Sequence, residues 1–351
     1  MRDRFHILHQ PVLLLIMAAA LLTSCSSDSP EAQENPAGEV PVERVINLVT
    51  YAPGYVEATT TRSAPEGYTS YLPVNQTKMG IYMLLDYENP TERTPLTYKY
   101  SRWYADFEVE KNKPYTVYGY LPKLEGMSSS LTCSESEKAA TLTITGMKSI
   151  MTEDVCIVTG VNETETGLKE GSFSWFKAVT DDDYIYMLLN HLYASVRFSI
   201  KVDTEYAKLR TIKMKSMTLS TNKADVSATI SLKHNTTGEV PITNVDYALS
   251  DGSSEAVFFS DDEGEALSAT TAKVFDTCFA PTLSNNLTLV STYDVYDRKG
   301  NLIRKNCPAT NKIPNLEASR GQRVQLNLTV NPSYLYVLSD PDLDNPTITI
   351  N

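Results

Sequence analysis

Apolar and polar residues alternate with a period of two along much of this sequence, which is the pattern of strands that bury one face. The first group of such segments covers residues 103–110, 115–120, 140–144 and 155–158, and the second covers residues 195–202, 228–232 and 324–330. No segment has the apolar spacing of a long amphipathic helix. One buried face and one solvated face are typical of antiparallel sheets, so the alternation predicts an all-β chain.

A boundary between two domains is expected where the alternation stops. A polar stretch at residues 161–171 and an acidic run at residues 181–183 separate the two groups of segments. We therefore expect two β-sandwich domains in tandem, one over residues 41–180 and one over residues 181–331. Residues 332–351 then form a tail, in which two short strand-forming segments follow a domain that is already complete. Such segments need the edge of a sheet to pair with.

The first 24 residues have the features of a lipoprotein signal peptide. Arg2 and Arg4 precede an apolar run over residues 12–22, and the small residues Thr23 and Ser24 come directly before Cys25. The run is too short to span a bilayer, and the order of features matches a lipobox, in which Cys25 becomes a lipid-modified N-terminus. Ordinary cleavage near Ser24 is the alternative. The polar, acidic residues 25–40 are expected to be a flexible tether from the lipid.

Composition and charge narrow the possible functions. The 351 residues carry 31 Lys and Arg against 43 Asp and Glu, a net charge of −12. Without a basic cluster, nucleic acid is excluded as the main partner. The sequence has no GxSxG, GxGxxG, P-loop or HExxH motif, so we predict no enzymatic activity, no cofactor and no metal site. Of the two histidines beyond the signal, His191 is expected to be partly buried and His234 to lie in a solvated turn.

Four cysteines follow Cys25 at wide spacing: Cys133, Cys156, Cys278 and Cys307. None of them forms the paired spacing of a metal site. Export to an oxidising compartment permits disulfides, whereas an unpaired cysteine is most often a small buried apolar residue. Spacing alone leaves both possibilities open.

Several stretches of this sequence are together similar to one known family. They are the lipobox with its acidic tether, the strand candidate at residues 44–51 with the Thr-rich segment 59–64, residues 115–122, and residues 189–198, which fit Leu-x-His-x-x-Ala-x-x-x-Phe. The chain resembles, over nearly its whole length, the fimbrillins of Bacteroidales-type bacteria, which are lipoprotein-derived pilins. The resemblance implies tandem sandwiches of transthyretin-like, Greek-key type and a structural role in an adhesive cell-surface fimbrium.

The resemblance also implies how the subunit matures. In this family a lipidated precursor reaches the outer membrane, where a trypsin-like protease cuts after an arginine and releases the first strand. The preferred site in this chain is Arg62, before Ser63, and Arg44 is the alternative. The released strand would comprise Val45, Ile46, Asn47, Leu48, Val49, Thr50 and Tyr51.

Loss of a strand leaves unpaired backbone groups and an apolar groove, which are a template for a strand from another fimbrial subunit. The two strand-forming segments of the tail are suitable donors by strand addition. Because contact of a tail with a neighbour's groove does not close on itself, it propagates as a filament. The candidate donor residues are Tyr334, Leu335, Tyr336, Val337, Leu338, Thr347, Ile348, Thr349 and Ile350.

Other functions stay open at this point. A fimbrial tip subunit would lack a donor tail or carry an additional domain, and an anchor subunit would keep its lipid and its first strand. A surface glycan-binding lipoprotein would hold sugars on exposed aromatic residues such as Tyr98, Tyr100, Trp103 and Tyr104. On a sheet, the same residues also fit cross-strand packing pairs.

Overall fold

Strands make up nearly all of the regular structure, as the period-two alternation predicts. The computed structural model describes residues 43–57, 68–87, 90–178, 183–235, 241–283, 287–314 and 316–332. Across these ranges the single helix is α1, Thr204–Ala207, which is far too short to cross a membrane. The prediction of an all-β chain is confirmed.

Twenty strands are assigned within the described residues. The first ten are β1 Arg44–Ala52, β2 Val56–Glu57, β3 Thr69–Ser70, β4 Lys78–Leu84, β5 Leu96–Lys99, β6 Arg102–Ala105, β7 Lys113–Leu121, β8 Ser128–Ser134, β9 Ala139–Lys148 and β10 Ile150–Met151. The others are β11 Cys156–Asn162, β12 Ser174–Lys177, β13 Tyr184–His191, β14 Ala194–Val202, β15 Thr211–Lys233, β16 Ile242–Ala266, β17 Lys273–Phe279, β18 Leu287–Tyr296, β19 Leu302–Ile313 and β20 Gln322–Val330.

Seven strands form a closed ring in the order β11-β13-β1-β6-β5-β4-β7. The ring closes because β7 also pairs with β11, with Leu121 opposite Cys156 and Tyr120 opposite Ile157. Two short strands extend from it, β12 beside β7 and β3 beside β1. Each strand of the ring therefore has a neighbour on both sides over at least part of its length, which leaves less open edge than a flat sheet would present.

The inside of the ring is filled by apolar side chains. Successive side chains of a strand point to opposite faces, so each strand sends every second residue inward. In a ring of this size the inward side chains fill the space and leave no channel. The buried members of this cluster are Leu48, Ala52, Met79, Ile81, Met83, Leu96, Trp103, Ala105, Tyr115, Val117, Leu121, Cys156, Val158, Val161, Trp175, Ile185, Met187 and Leu189.

A second group of strands forms two sheets that share one core. One sheet has the order β10-β17-β14-β20-β2, and the other has the order β19-β18-β15-β9-β8, with β16 also paired to β15. Strand β14 buries Val196, Phe198 and Ile200, and β15 buries Ile212 and Ile230 in the same cluster. Both sheets therefore direct alternate side chains into a common core, which is the arrangement of a β-sandwich.

Sheet membership does not follow the division expected near residue 180. Strands β8, β9 and β10 precede that point but pair with each other or with β15 and β17 of the second group. Strand β13 follows that point but belongs to the ring, where the first-half strands form a closed structure in place of the expected open sandwich. The described residues form one compact unit. Alternation shows that one face of a strand is buried, but it does not identify the neighbouring strand.

Candidate functional site

Strand β1 is a member of the closed ring and lies between β13 and β6. Its residues 47–51 run parallel to residues 184–188 of β13, and its residues 44–46 run antiparallel to residues 103–105 of β6. The short strand β3 pairs with its last two residues. The first strand expected from the sequence is therefore present, and its removal would open the ring between β6 and β13.

Strand β1 sends four side chains into the ring, and two of them are small. The four are Ile46, Leu48, Thr50 and Ala52, of which Leu48 is the largest that is fully inside, at 9% exposure. Thr50 is also buried, and its hydroxyl donates a hydrogen bond to the Tyr71 carbonyl at 2.7 Å. A buried leucine contributes about 1.5–3 kcal/mol, and alanine and threonine contribute less. Much of the attachment of β1 is therefore backbone hydrogen bonding, which another extended segment can supply.

The chain leaves β1 through Pro53 and Tyr55 and then joins the sandwich. The Tyr55 ring stacks on His191 with centroids 4.1 Å apart, and its hydroxyl lies 3.5 Å from the Cys278 sulfur. Strand β2 follows at once and pairs with residues 322 and 323 of β20, where Glu57 forms an ion pair with Arg323 at 2.6 Å. Residues 44–57 thus contact both the ring core and the sandwich core.

Strand β20 is covered by β2 over only part of its length. It pairs with β14 through residues 323–330 on one side, while β2 reaches only residues 322 and 323 on the other. Within the described part of the chain, residues 324–330 have no second strand neighbour. A cavity of about 230 Å³ lies beside this edge and is lined in part by Met214, Leu328, Val330 and Pro332. The lining of this cavity is mixed and also includes Ser291, Asn311 and Thr329. An open backbone edge next to such a cavity is suited to the addition of a strand.

A compact polar cluster lies directly beneath the segment that connects β1 to β2. His191 ends β13, and its cross-strand partner is Cys156, the first residue of β11, with Asp154 two positions earlier. The His191 Nε2–H donates to the Pro53 carbonyl at 2.7 Å, and Nδ1 contacts the Asp154 carboxylate. The Cys156 sulfur lies 3.3 Å from the same carboxylate oxygen. The cluster therefore holds the connecting segment in place through His191.

The surroundings of this cluster keep one tyrosine hydroxyl and two cysteine thiols in their neutral, protonated forms. Burial raises the pKa of the Tyr55 hydroxyl well above its usual value, and the nearby Asp154 charge adds to the effect. Burial also raises the pKa values of the Cys156 and Cys278 thiols, again with a contribution from Asp154. A protonated thiol is a poor nucleophile, so neither cysteine has the lowered pKa of a catalytic thiolate.

The beginning of β1 borders a cavity of about 370 Å³. Trp175, Lys177 and Asp183 line this cavity together with residues 44–47 of the strand. The side chain of Arg44 is half exposed and forms an ion pair with Glu108, while its backbone is paired with Ala105 of β6. Arg44, the alternative cleavage site, is therefore the first residue of the strand itself.

The remaining processing and assembly residues predicted from the sequence lie outside the described residues. They are Cys25, Arg62, Ser63 and the donor candidates of the tail, Tyr334 to Leu338 and Thr347 to Ile350. Their roles stay predictions. Val45 to Tyr51, predicted as the released strand, all fall within β1.

The burial of the two histidines, His191 and His234, can be compared with the prediction from the sequence. His191 is 6% exposed, so it is more deeply buried than the partly buried position predicted. The prediction of a solvated His234 is wrong, because its Nε2 lies 2.6 Å from the Tyr118 hydroxyl and its ring contacts Phe173. Burial and the nearby Lys138 lower the His234 pKa to about 4. The residues next to His234 in the sequence are typical of a turn, so the sequence contained no sign of this packing.

The aromatic residues considered for sugar binding mainly pack against each other. Tyr98 of β5 lies opposite Trp103 of β6, and their rings meet edge to face at 5.3 Å. Trp103 is only 2% exposed, so it is part of the ring core, whereas Tyr100 is 79% exposed at the intervening turn. Tyr98 and Trp103 therefore form a cross-strand packing pair, whereas Tyr100 is exposed. The cysteines at 133, 156, 278 and 307 are unpaired.

No protein-family model matches this chain, and no curated protein matches its sequence. Among solved structures it is similar to a candidate cell adhesion protein of Bacteroides fragilis, with 14% identity over 83% of this chain and 94% of that one and a TM-score of 0.39. It is also similar to a fimbrial protein of Bacteroides vulgatus, with 12% identity over 82% and 95% of the two chains and a TM-score of 0.32.

A third similar structure is the fimbrial anchor protein Mfa2 of Porphyromonas gingivalis, with 12% identity over 80% of this chain and 90% of that one and a TM-score of 0.27. These three structural neighbours are described as fimbrial or cell adhesion proteins, and they come from Bacteroidales, the group whose pilins the sequence resembles. Because these TM-scores lie below 0.5, the function proposed for this chain rests on its own residues.

Proposed function

We propose that the protein is a structural subunit of an adhesive cell-surface fimbrium. It is exported as an outer-membrane lipoprotein through Cys25, loses its first strand to a protease, and polymerises when the tail of another subunit fills the vacated place. The observation that carries the proposal is the position of β1, which is one member of a closed ring and sends only Leu48 and smaller or partly buried side chains into the core.

The place of the cut follows from what the cut must release. A cut after Arg44 leaves residues 45–52 attached to the rest of the chain and paired in the ring. To free both β1 and β2, the cut must come after residue 57 and before β3 begins at Thr69. Arg62 is the only arginine or lysine in that interval, so a trypsin-like protease has one suitable bond there, between Arg62 and Ser63.

Release of residues 25–62 would create two neighbouring places for an incoming strand. One is the gap between β6 and β13, and the other is the edge of β20 from which β2 has gone. The tail has two strand-forming segments, one with Leu335 and Val337 and one with Ile348 and Ile350 on one face. Each buried residue of this kind would contribute about 1.5–3 kcal/mol before ordering costs, at least as much as Leu48 supplies.

The experiment compares two matched arginine variants of the full chain, Arg62→Ala and Arg44→Ala, with the parent protein. Surface-displayed and assembled material is collected and its N-terminus is sequenced. We expect the parent and Arg44→Ala to form polymers that begin at Ser63, and Arg62→Ala to stay monomeric and lipidated. A third variant, which lacks residues 332–351, should be cut at the same bond but should not extend a polymer.

Two results would overturn the proposal. Polymers in which the subunits still carry acylated Cys25 would show that β1 is not released, and the chain would then be an anchor at most. Polymers of normal length from the tail deletion would show that another segment joins the subunits. Binding of oligosaccharides by a protein that never polymerises would favour the surface glycan-binding alternative.

A further inference from the structure

Three side chains beneath the β1–β2 connection bring together a nitrogen, an oxygen and a sulfur ligand atom. They are His191 Nδ1, Asp154 Oδ2 and Cys156 Sγ, and all three lie within 4.8 Å of one another. The sulfur is 3.3 Å from the Asp154 oxygen and 3.9 Å from the His191 nitrogen. In a tetrahedral zinc site with standard bond lengths, ligand atoms lie about 3.4–3.6 Å apart. These two distances bracket that spacing, whereas the His191 nitrogen and the Asp154 oxygen are in direct contact and would have to separate to admit an ion.

The hydrogen bonds fix which atom of His191 faces the cluster. The Pro53 carbonyl can only accept, so His191 Nε2 carries a hydrogen and donates it at 2.7 Å. In the neutral ring Nδ1 is then a lone-pair donor, and it faces the Asp154 carboxylate, which is also an acceptor. Two facing lone pairs need a cation between them: a proton fits the direct contact in the structure, and a metal ion would require the two atoms to move apart.

The surroundings of the cluster match those of metal ligands in proteins. A ligating histidine usually donates its second ring hydrogen to a carbonyl or carboxylate, and the Pro53 carbonyl has this role for His191. The second carboxylate oxygen of Asp154, Oδ1, is buried and has no hydrogen-bond partner among the described residues. The side chain of His191 is 8% exposed and that of Asp154 is 14% exposed, so water competes weakly for these groups.

We infer that Asp154, Cys156 and His191 form a binding site for a soft divalent cation of the zinc class. Thiolate, imidazole and carboxylate are the ligand set that Zn²⁺ takes in proteins, whereas Ca²⁺ and Mg²⁺ require oxygen ligands only. On binding, the Cys156 S–H bond breaks, a sulfur–metal bond forms, and the proton passes to solvent. The ion also replaces any proton held between His191 and Asp154, and a fourth position stays open for water.

The three ligands belong to β11, β13 and the residues before β11, whereas the Pro53 carbonyl that accepts from His191 belongs to the segment that the proposed cut would release. The test therefore uses the uncut monomer, with Cys25→Ser in every variant so that the lipidation cysteine offers no thiol. Metal-free, reduced protein is titrated with Co²⁺ alone and then with Zn²⁺. Ultraviolet and visible absorption follow the thiolate-to-cobalt charge transfer and the ligand-field bands of tetrahedral Co²⁺.

We expect the parent to bind one equivalent of Co²⁺ with both kinds of band, and Zn²⁺ to displace it. Cys156→Ser should lose the charge-transfer band, and Asp154→Asn, which keeps the side-chain shape, should bind at least tenfold more weakly. The matched control is Cys307→Ser, which removes another buried thiol, in β19, and should behave as the parent does. Circular dichroism confirms that each variant is folded.

Absence of a charge-transfer band in the folded parent would overturn the inference. The same conclusion follows if Cys156→Ser keeps the band or if Cys307→Ser loses it, because the bound metal would then lie elsewhere. Should Cys156→Ser not fold, Asp154→Asn decides the matter, since unchanged Co²⁺ affinity in that variant would contradict the site. None of these outcomes bears on whether the subunits polymerise.

Discussion

Replacing Leu48 by alanine separates the role of β1 in the precursor from its role in the fimbrium. Leu48 is the largest side chain that β1 places fully inside the ring, and it is 9% exposed. Truncating a buried leucine to alanine costs about 2–5 kcal/mol. We expect the lower part of that range, about 2–3 kcal/mol, because Leu48 lies near the point where the pairing of β1 passes from β6 to β13.

The proposal predicts that this loss disappears after processing. If β1 leaves before assembly, the mature polymer contains no residue 48, so the substitution cannot weaken it. The matched control is Leu189→Ala on β13, which is fully buried in the same core and stays in the subunit. Leu189→Ala should therefore lower the free energy of unfolding of the precursor by about 3–5 kcal/mol and should weaken the polymer as well.

The assay has two stages. Urea unfolding of each purified precursor gives the free energy of unfolding, and the precursors are then cut with a trypsin-like protease and allowed to assemble. The denaturant concentration that releases subunits from the polymer is the second measurement. If Leu48→Ala polymers dissociate at a lower denaturant concentration than the parent polymers, β1 is still present in the fimbrium and strand replacement is refuted.

Two further predictions concern the attachment of β1 and the pH response of the core. Val45 of β1 and Tyr104 of β6 face each other, so Val45→Cys with Tyr104→Cys should form a disulfide between the two strands. This disulfide should leave cleavage intact but block polymerisation until a reductant is added. Polymerisation of the oxidised protein would contradict release of the strand. The His234 pKa of about 4 lies below its usual value near 6.5, so the unfolded chain binds the proton first and stability falls as the pH decreases from about 6.5 to 4. His234→Gln should flatten this part of the stability profile, as measured by urea midpoints across that range, and an unchanged profile would show that another group is responsible.

The sequence was sufficient for local structure and insufficient for strand neighbours. The alternation of Trp103 and Ala105 with polar residues predicted a strand with one buried face, and β6 has that burial. The alternation of Leu142 and Ile144 predicted β9 equally well, yet it could not show that β9 pairs with β15, which follows about 80 residues later. Pairing depends on long-range contacts that leave no periodic signal in either strand, so the sequence did not show the ring or the membership of β8, β9 and β10 in the second group of sheets.

The polar cluster was missed for a related reason. Cys156 and His191 are 35 residues apart in the sequence, and no short metal-binding motif connects them. They become neighbours only because β11 and β13 pair in a register that places the two residues opposite each other. The one available signal was that both residues begin or end an apolar strand segment, where a polar side chain must find a partner or a ligand.

The attachment of residues 44–57 to both cores, through β1 in the ring and through Tyr55 and β2 at the sandwich, explains why proteolysis would be needed for their exchange. While residues 44–57 are joined to the rest of the chain, β1 and β2 re-pair after every opening, because a short linker holds them at an effective concentration on the order of millimolar. A cut after Arg62 makes the same segment a separate ligand, which dissociates on dilution and cannot return at that rate. Since its main apolar contacts are Leu48 in the ring and Tyr55 against the sandwich, a tail with several inward apolar residues would compete for both places. Covalent attachment, more than the strength of the strand itself, would then keep the precursor monomeric.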